Sequence, residues 1–570
     1  MLNNTALHSE HYTIDGEQHH FLKQAHLRIA MITCLFMIGF FCIAWRLTVL
    51  SLFGVEQSQS IKTAQLNPAT AAYAPRADIT DRNGQVVATT LVMPSLYADP
   101  SLVENPDDIL RDLASIIPID IDDTRKLLKR KGRFVWLYHA LTPKQQKAIN
   151  HLGYPGLGFQ DSFRRIYPQD NLLSHILGYN DRDNTGISGI EKQYHEQLAQ
   201  NEPLQLSLDI RIQNILRTEL QKSISHFEAI GGSGIIMDIE TGEILAMTSL
   251  PDFDPHHPSK AKDEAIFNRN SAGVFEMGST FKLFSFAAAI DSGIVKPGDY
   301  FNTKKPLKIG RHTIRDYHPA KRALTLKEVF LHSSNIGTGQ IAQKLGTEPL
   351  KTFYKNIGLF ERVDIALPER ARPLLPRKWR DVTTVTASYG HGLAVTPLHL
   401  VRAGAAMVND GLLPTPRLTP YSQDDDISAV QVISPRTSRI LRGYLQDVVE
   451  HEDGTGKKAA TPGYSVGGKT GTAEKVSGKT YHQKALYSSF LGFFPMEKPK
   501  YVILVSVDEP KGQKDSYGFA TGGWTAAPVV SKVIAQSAPL LGLKPQNPGY
   551  ESLTDYVARS RITDEERNTD

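Results

Sequence analysis

Hydrophobic and polar positions change rhythm several times along this chain. Across 29–45 there is no rhythm: IAMITCLFMIGFFCIAW is uncharged and apolar all round, the pattern of a helix surrounded by hydrocarbon rather than one with a wet face. LTVL carries it on to residue 50, because the stem of Arg46 can lie along the helix while its head reaches water. A cleaved leader needs a short apolar stretch and a small-x-small site, and the following SLFGVEQSQS offers none. Residues 29–50 are therefore expected to be a transmembrane anchor, with 1–28 as a cytoplasmic tail. Residues 51–76 are polar and Ala/Pro-rich, as in a stalk. Up to 230, short strand-like and helical patches alternate with turn signals such as Arg82-Asn83-Gly84, which predicts a non-catalytic α+β module over 51–230.

After a Gly231-Gly232 break the pattern changes again. GIIMDI, the turn ETGE and ILAMTS read as a β-hairpin, and VILVSVDEP near Val502 reads as a buried strand. Helical stretches lie between them. Strands at both ends with helices between predict an antiparallel sheet packed by helices, an α+β domain over 231–543 rather than a βαβ series. From 544 to 570 the chain is polar and charged, and a mobile tail is expected.

Composition narrows the function classes. At 570 residues the chain is longer than a single core usually grows. Lys plus Arg is 64 against 60 for Asp plus Glu, too balanced for a nucleic-acid footprint. Cys34 and Cys42 both fall in the apolar run, leaving the exported part without disulfides or thiolate metal sites. The pairs His19-His20 and His256-His257 lack a metal-ligand spacing on a supporting helix, so neither metal nor cofactor is expected.

The candidate chemistry lies in three segments. In FEMGSTFKLFSFAAAIDSG, Ser279 opens an apolar helical run and Lys282 follows one turn later, on the same face. A serine needs a base to become a nucleophile, and an amine serves only where burial or another cation lowers its pKa; Phe281, Leu283 and Phe284 supply apolar surroundings. Ser259 and Lys262 repeat the spacing, but in the proline-rich loop PDFDPHHPSKAKD with no helix to follow. Ser333-Ser334-Asn335 offers a hydroxyl and an amide suited to relaying a proton and orienting a substrate amide. Lys469-Thr470-Gly471-Thr472, between β-like flanks, offers a cation and two hydroxyls for a carboxylate, with glycine permitting close approach.

In this order the three segments resemble the signature motifs of the penicillin-binding and serine β-lactamase superfamily. PRADITDRNGQVVA, RRIYPQD, SHILGY and GISGIEKQY are similar to the amino-terminal module of class B penicillin-binding proteins, and SYGHGLAVTPLHL resembles a stretch between their second and third motifs. The ending DEPKGQKDSYGFATGGWTAAPV looks like the division-specific FtsI type, most like alphaproteobacterial members. Met277, Ala77 and His391 depart from the residues common in the family. The resemblance implies a penicillin-binding transpeptidase fold on a pedestal of the dimerisation-domain type, and a D,D-transpeptidase that takes stem peptides ending in D-Ala-D-Ala as donors and an amine of a neighbouring stem as acceptor. It implies Ser279 as nucleophile, Lys282 as base and Ser333 as proton relay. Asn335, Lys469, Thr470, Gly471 and Thr472 would bind substrate, and the backbone N–H groups of Ser279 and Thr472 would form the oxyanion hole. It also implies inhibition by β-lactams, a SEDS glycosyltransferase and other divisome membrane proteins as partners, and an inner-membrane location with the catalytic domain in the periplasm. Elongation-type transpeptidases, and D,D-carboxypeptidases or β-lactamases that use water, share the motifs and are the rival readings.

Overall fold

The computed structural model describes residues 16–53, 75–181, 183–422, 429–477 and 480–545. The expected stalk and charged tail fall almost wholly outside these. The chain forms two compact units, 1–73 and 74–570. The first contains helix α1, Gly16–Phe53. Its apolar section, Leu27–Trp45, has a mean hydropathy of 2.3 and every side chain exposed. At 1.5 Å per residue those 19 residues reach roughly 28 Å, enough for a bilayer core.

The second unit begins with a five-stranded sheet: β1 (Ile79–Thr80), β2 (Val86–Ala98), β3 (Val135–Tyr138), β4 (Leu157–Ile166) and β5 (Leu204–Gln205), ordered β3-β2-β1-β5 with β4 also on β2. β1 and β5 run parallel and the other pairs antiparallel. The segments PRADITD, RRIYP and GISGIEK meet in one buried cluster. Glu191 accepts from Arg76 Nε at 2.5 Å and from Arg165 Nε at 2.7 Å, with all three side chains almost completely buried. One carboxylate thereby neutralises two cations and joins three stretches of chain, which fixes how they pack.

Helix α2 (Ile210–His226) follows, then β6 (Gly231–Asp238) and β7 (Ile244–Leu250), helix α3 (Lys282–Asp291), helix α4 (Asn335–Leu345), helix α5 (Pro397–Val408), helix α6 (Pro435–Glu450), β8 (Gly467–Ser477), β9 (Thr480–Phe494), β10 (Tyr501–Asp508) and helix α7 (Ala527–Ser537). The sheet order is β8-β9-β10-β6-β7, antiparallel throughout. Alternate residues feed two cores. Ile235, Met237, Leu491, Phe493, Val502 and Leu504 face one; Ile236, Phe490, Phe494, Ile503 and Val505 face the other, with Leu216 and Leu220 of α2 and Val530 and Ile534 of α7. Covering both faces explains why β10 reads as a continuous apolar run.

Two details differ from the sequence expectation. Gly231 and Gly232, read as a break, lie inside β6. A Cβ at Gly232 would stand 2.7 Å from the Ser506 carbonyl and 3.0 Å from Leu220, and one at Gly234 would stand 2.8 Å from Leu216, so the glycines let α2 lie close on the sheet. That helix precedes residue 231, yet it packs into the core of the sheet that follows it. The other core is continuous from Ile79, Ile176 and Leu206 to Met237, Phe284 and Leu400, so both parts of this unit share one interior.

Candidate active site

Ser279 lies in a 3-10 turn, Gly278–Phe281, that runs directly into α3. The turn fits between two backbones only because it carries and meets glycine. Gly278 has φ +53°, and a Cβ there would stand 2.4 Å from the Thr472 carbonyl on β8; Gly390, at φ +82°, approaches from the other side, where a Cβ would stand 2.2 Å from the Gly278 carbonyl. Gly471 on β8 is equally confined, with 2.7 Å from a built Cβ to the Met277 carbonyl and 2.4 Å to Ser489 Oγ. The serine's turn is thus held against β8, which among the described residues pairs on one side only. Ser259, the other serine with a lysine three residues on, lies exposed in a short 3-10 turn, Pro258–Lys260.

Lys282 is completely buried, as are its chain neighbours Phe281, Leu283 and Phe284. Its Nζ donates to the Ser333 carbonyl at 2.5 Å and lies 3.0 Å from Ser333 Oγ. Ser333 Oγ also meets Lys469 Nζ at 3.0 Å. One hydroxyl therefore joins two buried lysines from helix α3 and strand β8, and Ser333 takes an uncommon φ of +55° to present it. Burial pulls the Lys282 pKa well below the usual lysine value; the Lys469 charge pushes it the same way, and the Asp316 carboxylate opposes both. Burial also lowers Lys469, to about 7. Two ammonium groups sharing one hydroxyl in a dry site repel each other, so the pair does not readily hold both protons, and Lys282 is the member on which burial and its neighbour's charge act together.

Strand alternation divides the third motif. Lys469 and Gly471 are turned inward and buried, while Thr470 and Thr472 are partly exposed on the other face. Thr470 Oγ1 donates to Thr455 Oγ1 at 3.0 Å, and Thr472 Oγ1 accepts from the Gly522 N–H at 3.2 Å. Asn335 opens α4, and its amide donates to the Arg315 carbonyl at 3.3 Å. The structure thus joins Lys282, Ser333 and Lys469 by direct hydrogen bonds and packs the turn that carries Ser279 against Gly471 and Thr472 through Met277, Gly278 and Thr280. Thr470 and Asn335 are held through neighbours outside the three motifs.

Sequence reasoning missed those neighbours. Asp316 accepts from Ser334 Oγ at 2.7 Å and from the Ile336 N–H at 2.9 Å, while Ser334 Oγ itself accepts from the Gly337 N–H. The carboxylate and the serine together satisfy the free N–H groups at the start of α4 and fix the loop that carries Ser333. Glu276 accepts from the Gly392 N–H at 3.0 Å and contacts His391, tying the Ser279 turn to the Gly390 loop. Nothing in TIRDYHP marks Asp316 by spacing; only the fold brings it 18 residues forward to Ser334. Among the described residues no group of three or more His, Cys, Asp or Glu could hold a metal ion.

A buried lysine bonded to a serine hydroxyl, a second serine on a turn packed against a sheet-edge strand, and a second buried cation suit acyl transfer from an extended peptide. Comparison with known proteins agrees. Residues 232–535 match the family model of the penicillin-binding protein transpeptidase domain, and 71–205 that of the penicillin-binding protein dimerisation domain. The chain is 38% identical over 487 residues to a probable peptidoglycan D,D-transpeptidase FtsI of Caulobacter vibrioides, covering 82% of each chain. It is 30% identical over 509 residues to the peptidoglycan D,D-transpeptidase FtsI of Escherichia coli, covering 82% of this chain and 84% of that one. The apo transpeptidase domain of penicillin-binding protein 3 from Burkholderia pseudomallei superposes with a TM-score of 0.54 at 34% identity, covering 60% of this chain and 98% of that one.

Proposed function

The chain belongs to the penicillin-binding protein transpeptidase family, as a class B member of the FtsI type, and on that premise we propose that the joined Lys282, Ser333 and Lys469 are the proton-handling centre of its septal peptidoglycan D,D-transpeptidase reaction. The single observation that carries this reading is that one hydroxyl bridges two buried amines, one of them on the first residue of the helix that the Ser279 turn runs into.

Ser279 Oγ attacks the carbonyl carbon of the penultimate D-Ala, and its proton passes to neutral Lys282 Nζ. The oxyanion that develops is held by the backbone N–H groups of Ser279 and Thr472, donors aimed at charge that exists only near the transition state. The C–N bond then breaks. The proton moves from Lys282 through Ser333 Oγ to the departing amine, so that D-alanine leaves and an ester on Ser279 remains. An acceptor amine from a neighbouring stem attacks the ester, forms the new amide, and returns the proton to Ser279 by the same relay. Thr470 and Thr472, on the outward face of β8, suit the donor's terminal carboxylate, and Lys469 supplies positive charge from behind the strand. Asn335 positions the peptide backbone. A donor strand pairing with the free edge of β8 adds main-chain hydrogen bonds, and β-lactams enter as mimics of that peptide.

The apolar section of α1 supports a single-pass anchor. We place the catalytic unit in the periplasm and the anchor in the inner membrane, with a SEDS glycosyltransferase and other divisome proteins as partners. We set the boundary between pedestal and catalytic modules between β5 and α2, because α2 packs in the catalytic sheet's core. Labelling with fluorescent penicillin tests the chemistry: a stable adduct is expected on the wild type and none on Ser279→Ala. Adduct turnover within seconds would show that water, not an amine, is the acceptor. Depletion in cells is expected to give filaments; rounded cells would move the protein to elongation.

A further inference from the structure

Outside the site, the segment that stands out is the loop 129–134 joining the helix Ile121–Leu128 to β3. It reads Lys-Arg-Lys-Gly-Arg-Phe. Lys129, Arg130 and Lys131 are exposed, and no carboxylate among the described residues forms an ion pair with them. The acids of the adjoining helices are already engaged, Asp107 and Asp122 by Arg125 and Asp123 by Lys126. Only Arg133 has a carboxylate partner, Asp99 at 3.2 Å. At the base of this cationic tip is an aromatic platform. Phe134 is half exposed, stacks on Tyr97 with ring centres 4.9 Å apart, and meets Trp136 edge-on at the same distance. Gly158 on the neighbouring strand makes room for the platform: a Cβ there would stand 2.4 Å from the Tyr97 ring. Exposed aromatic surface and three unneutralised cations beside it have no structural use in the pedestal's own core, which is built from Leu96, Leu110, Leu113 and Ile149.

We propose that this loop and its aromatic base are a docking surface for cell-wall glycopeptide, a saccharide ring lying on Phe134 and free stem-peptide carboxylates on Lys129, Arg130 and Lys131. The proposal rests on the transpeptidase reading for the choice of polymer. It is supported by charge complementarity: stem peptides carry carboxylates, and Lys129, Arg130 and Lys131 are three consecutive exposed cations that no carboxylate among the described residues neutralises. Carbon-bound hydrogens of a sugar ring pack on an aromatic face, while the lysine and arginine heads remain free to turn toward an anion. Such a surface holds the polymer away from the reacting bond and raises the local concentration of stems near the cleft.

The test uses the full chain in detergent micelles, with Ser279 first acylated by unlabelled penicillin so that the active-site cleft does not contribute. Binding to purified, insoluble peptidoglycan is read by co-sedimentation. The wild type is expected to sediment, with affinity falling as salt rises. The triple variant Lys129→Gln/Arg130→Gln/Lys131→Gln is expected to bind at least tenfold more weakly, and Phe134→Ala several-fold more weakly with an unchanged salt slope. Both variants are expected to label with fluorescent penicillin at the wild-type rate, which shows that they fold. Equal sedimentation of wild type and triple variant overturns the proposal, as does binding to anionic phospholipid vesicles that matches or exceeds binding to peptidoglycan. Absence of any penicillin adduct on the wild type would remove the transpeptidase reading instead, and sedimentation of the unacylated protein would still decide the surface.

Discussion

The chemistry of this protein turns on the protonation of two lysines that share one hydroxyl. In the proposed mechanism Lys282 must be neutral to accept the Ser279 proton, whereas Lys469 must stay charged to keep its neighbour neutral and to attract a carboxylate. Acylation by penicillin is therefore expected to rise with pH as Lys282 loses its proton and to fall above about 7 as Lys469 loses its own. The charged groups acting on Lys282 are Lys469 and Asp316, and they predict opposite displacements. Asp316→Asn removes the charge that favours protonated Lys282, so the rising limb should move to lower pH, whereas a purely structural role for Asp316 would leave the limb in place. Asp316→Ala also removes the acceptor for the Ile336 N–H, a loss of about 1 kcal/mol for such a cap, and is expected to slow acylation about fivefold. Stopped-flow measurements across pH separate the two effects. The helical spacing of Ser279 and Lys282 and the apolar neighbours were legible in the chain. That Lys282 aims at Ser333 was not, because 51 residues separate them.

At the scale of elements, the site is a meeting of a turn, a helix start and a strand edge, each kept in place by backbone contact. Gly471 is the clearest case. A methyl group added there would press on the Met277 carbonyl, Thr280 and Ser489, and overpacking of this kind costs about 1–3 kcal/mol. Gly471→Ala is expected to push β8 away from the Ser279 turn and to lower the acylation rate by more than tenfold, with the melting temperature falling by only a few degrees. Wild-type acylation in that variant would show that the turn tolerates a shifted strand. The β6–β7 hairpin and β10 were readable because alternation and apolar runs are local. Strand β9, the partner of β8, was not anticipated: its 480–494 sequence mixes polar and apolar residues, and its pairing is settled by the register with β8 and β10. The two glycines of β6 were misread for a related reason, since a glycine that admits a helix against a sheet looks in sequence like one that ends a strand.

At the scale of the whole molecule, the pedestal and the catalytic sheet are one body over residues 74–570, with a core that runs through both. Glu191 holds that arrangement from the pedestal side. Glu191→Ala would leave Arg76 and Arg165 buried without a counter-charge, a loss of about 3–5 kcal/mol. Because the core is shared, thermal scans that follow residual penicillin labelling are expected to show the catalytic site failing at the same lowered temperature as the pedestal. Labelling that persists after the pedestal has melted would show the two parts to be independent. The motif residues Arg76, Arg165 and Glu191 were visible as a resemblance, but their ion pairs lie 115 and 26 residues apart in the chain.

What the sequence determined by itself is what depends on near neighbours. It set the apolar helix, the α+β character, the placing of Lys282 one turn after Ser279, and the strand flanks of Lys469, because helix and strand periods and burial of apolar runs act over a few residues. Only the tertiary structure decided the rest: that Lys469 turns inward to Ser333, that Asp316 fixes the loop carrying Ser333, and that α2 packs in the core of the catalytic sheet. Those are contacts between segments far apart in the chain, selected by which surfaces exclude water together and by which buried charges find a partner.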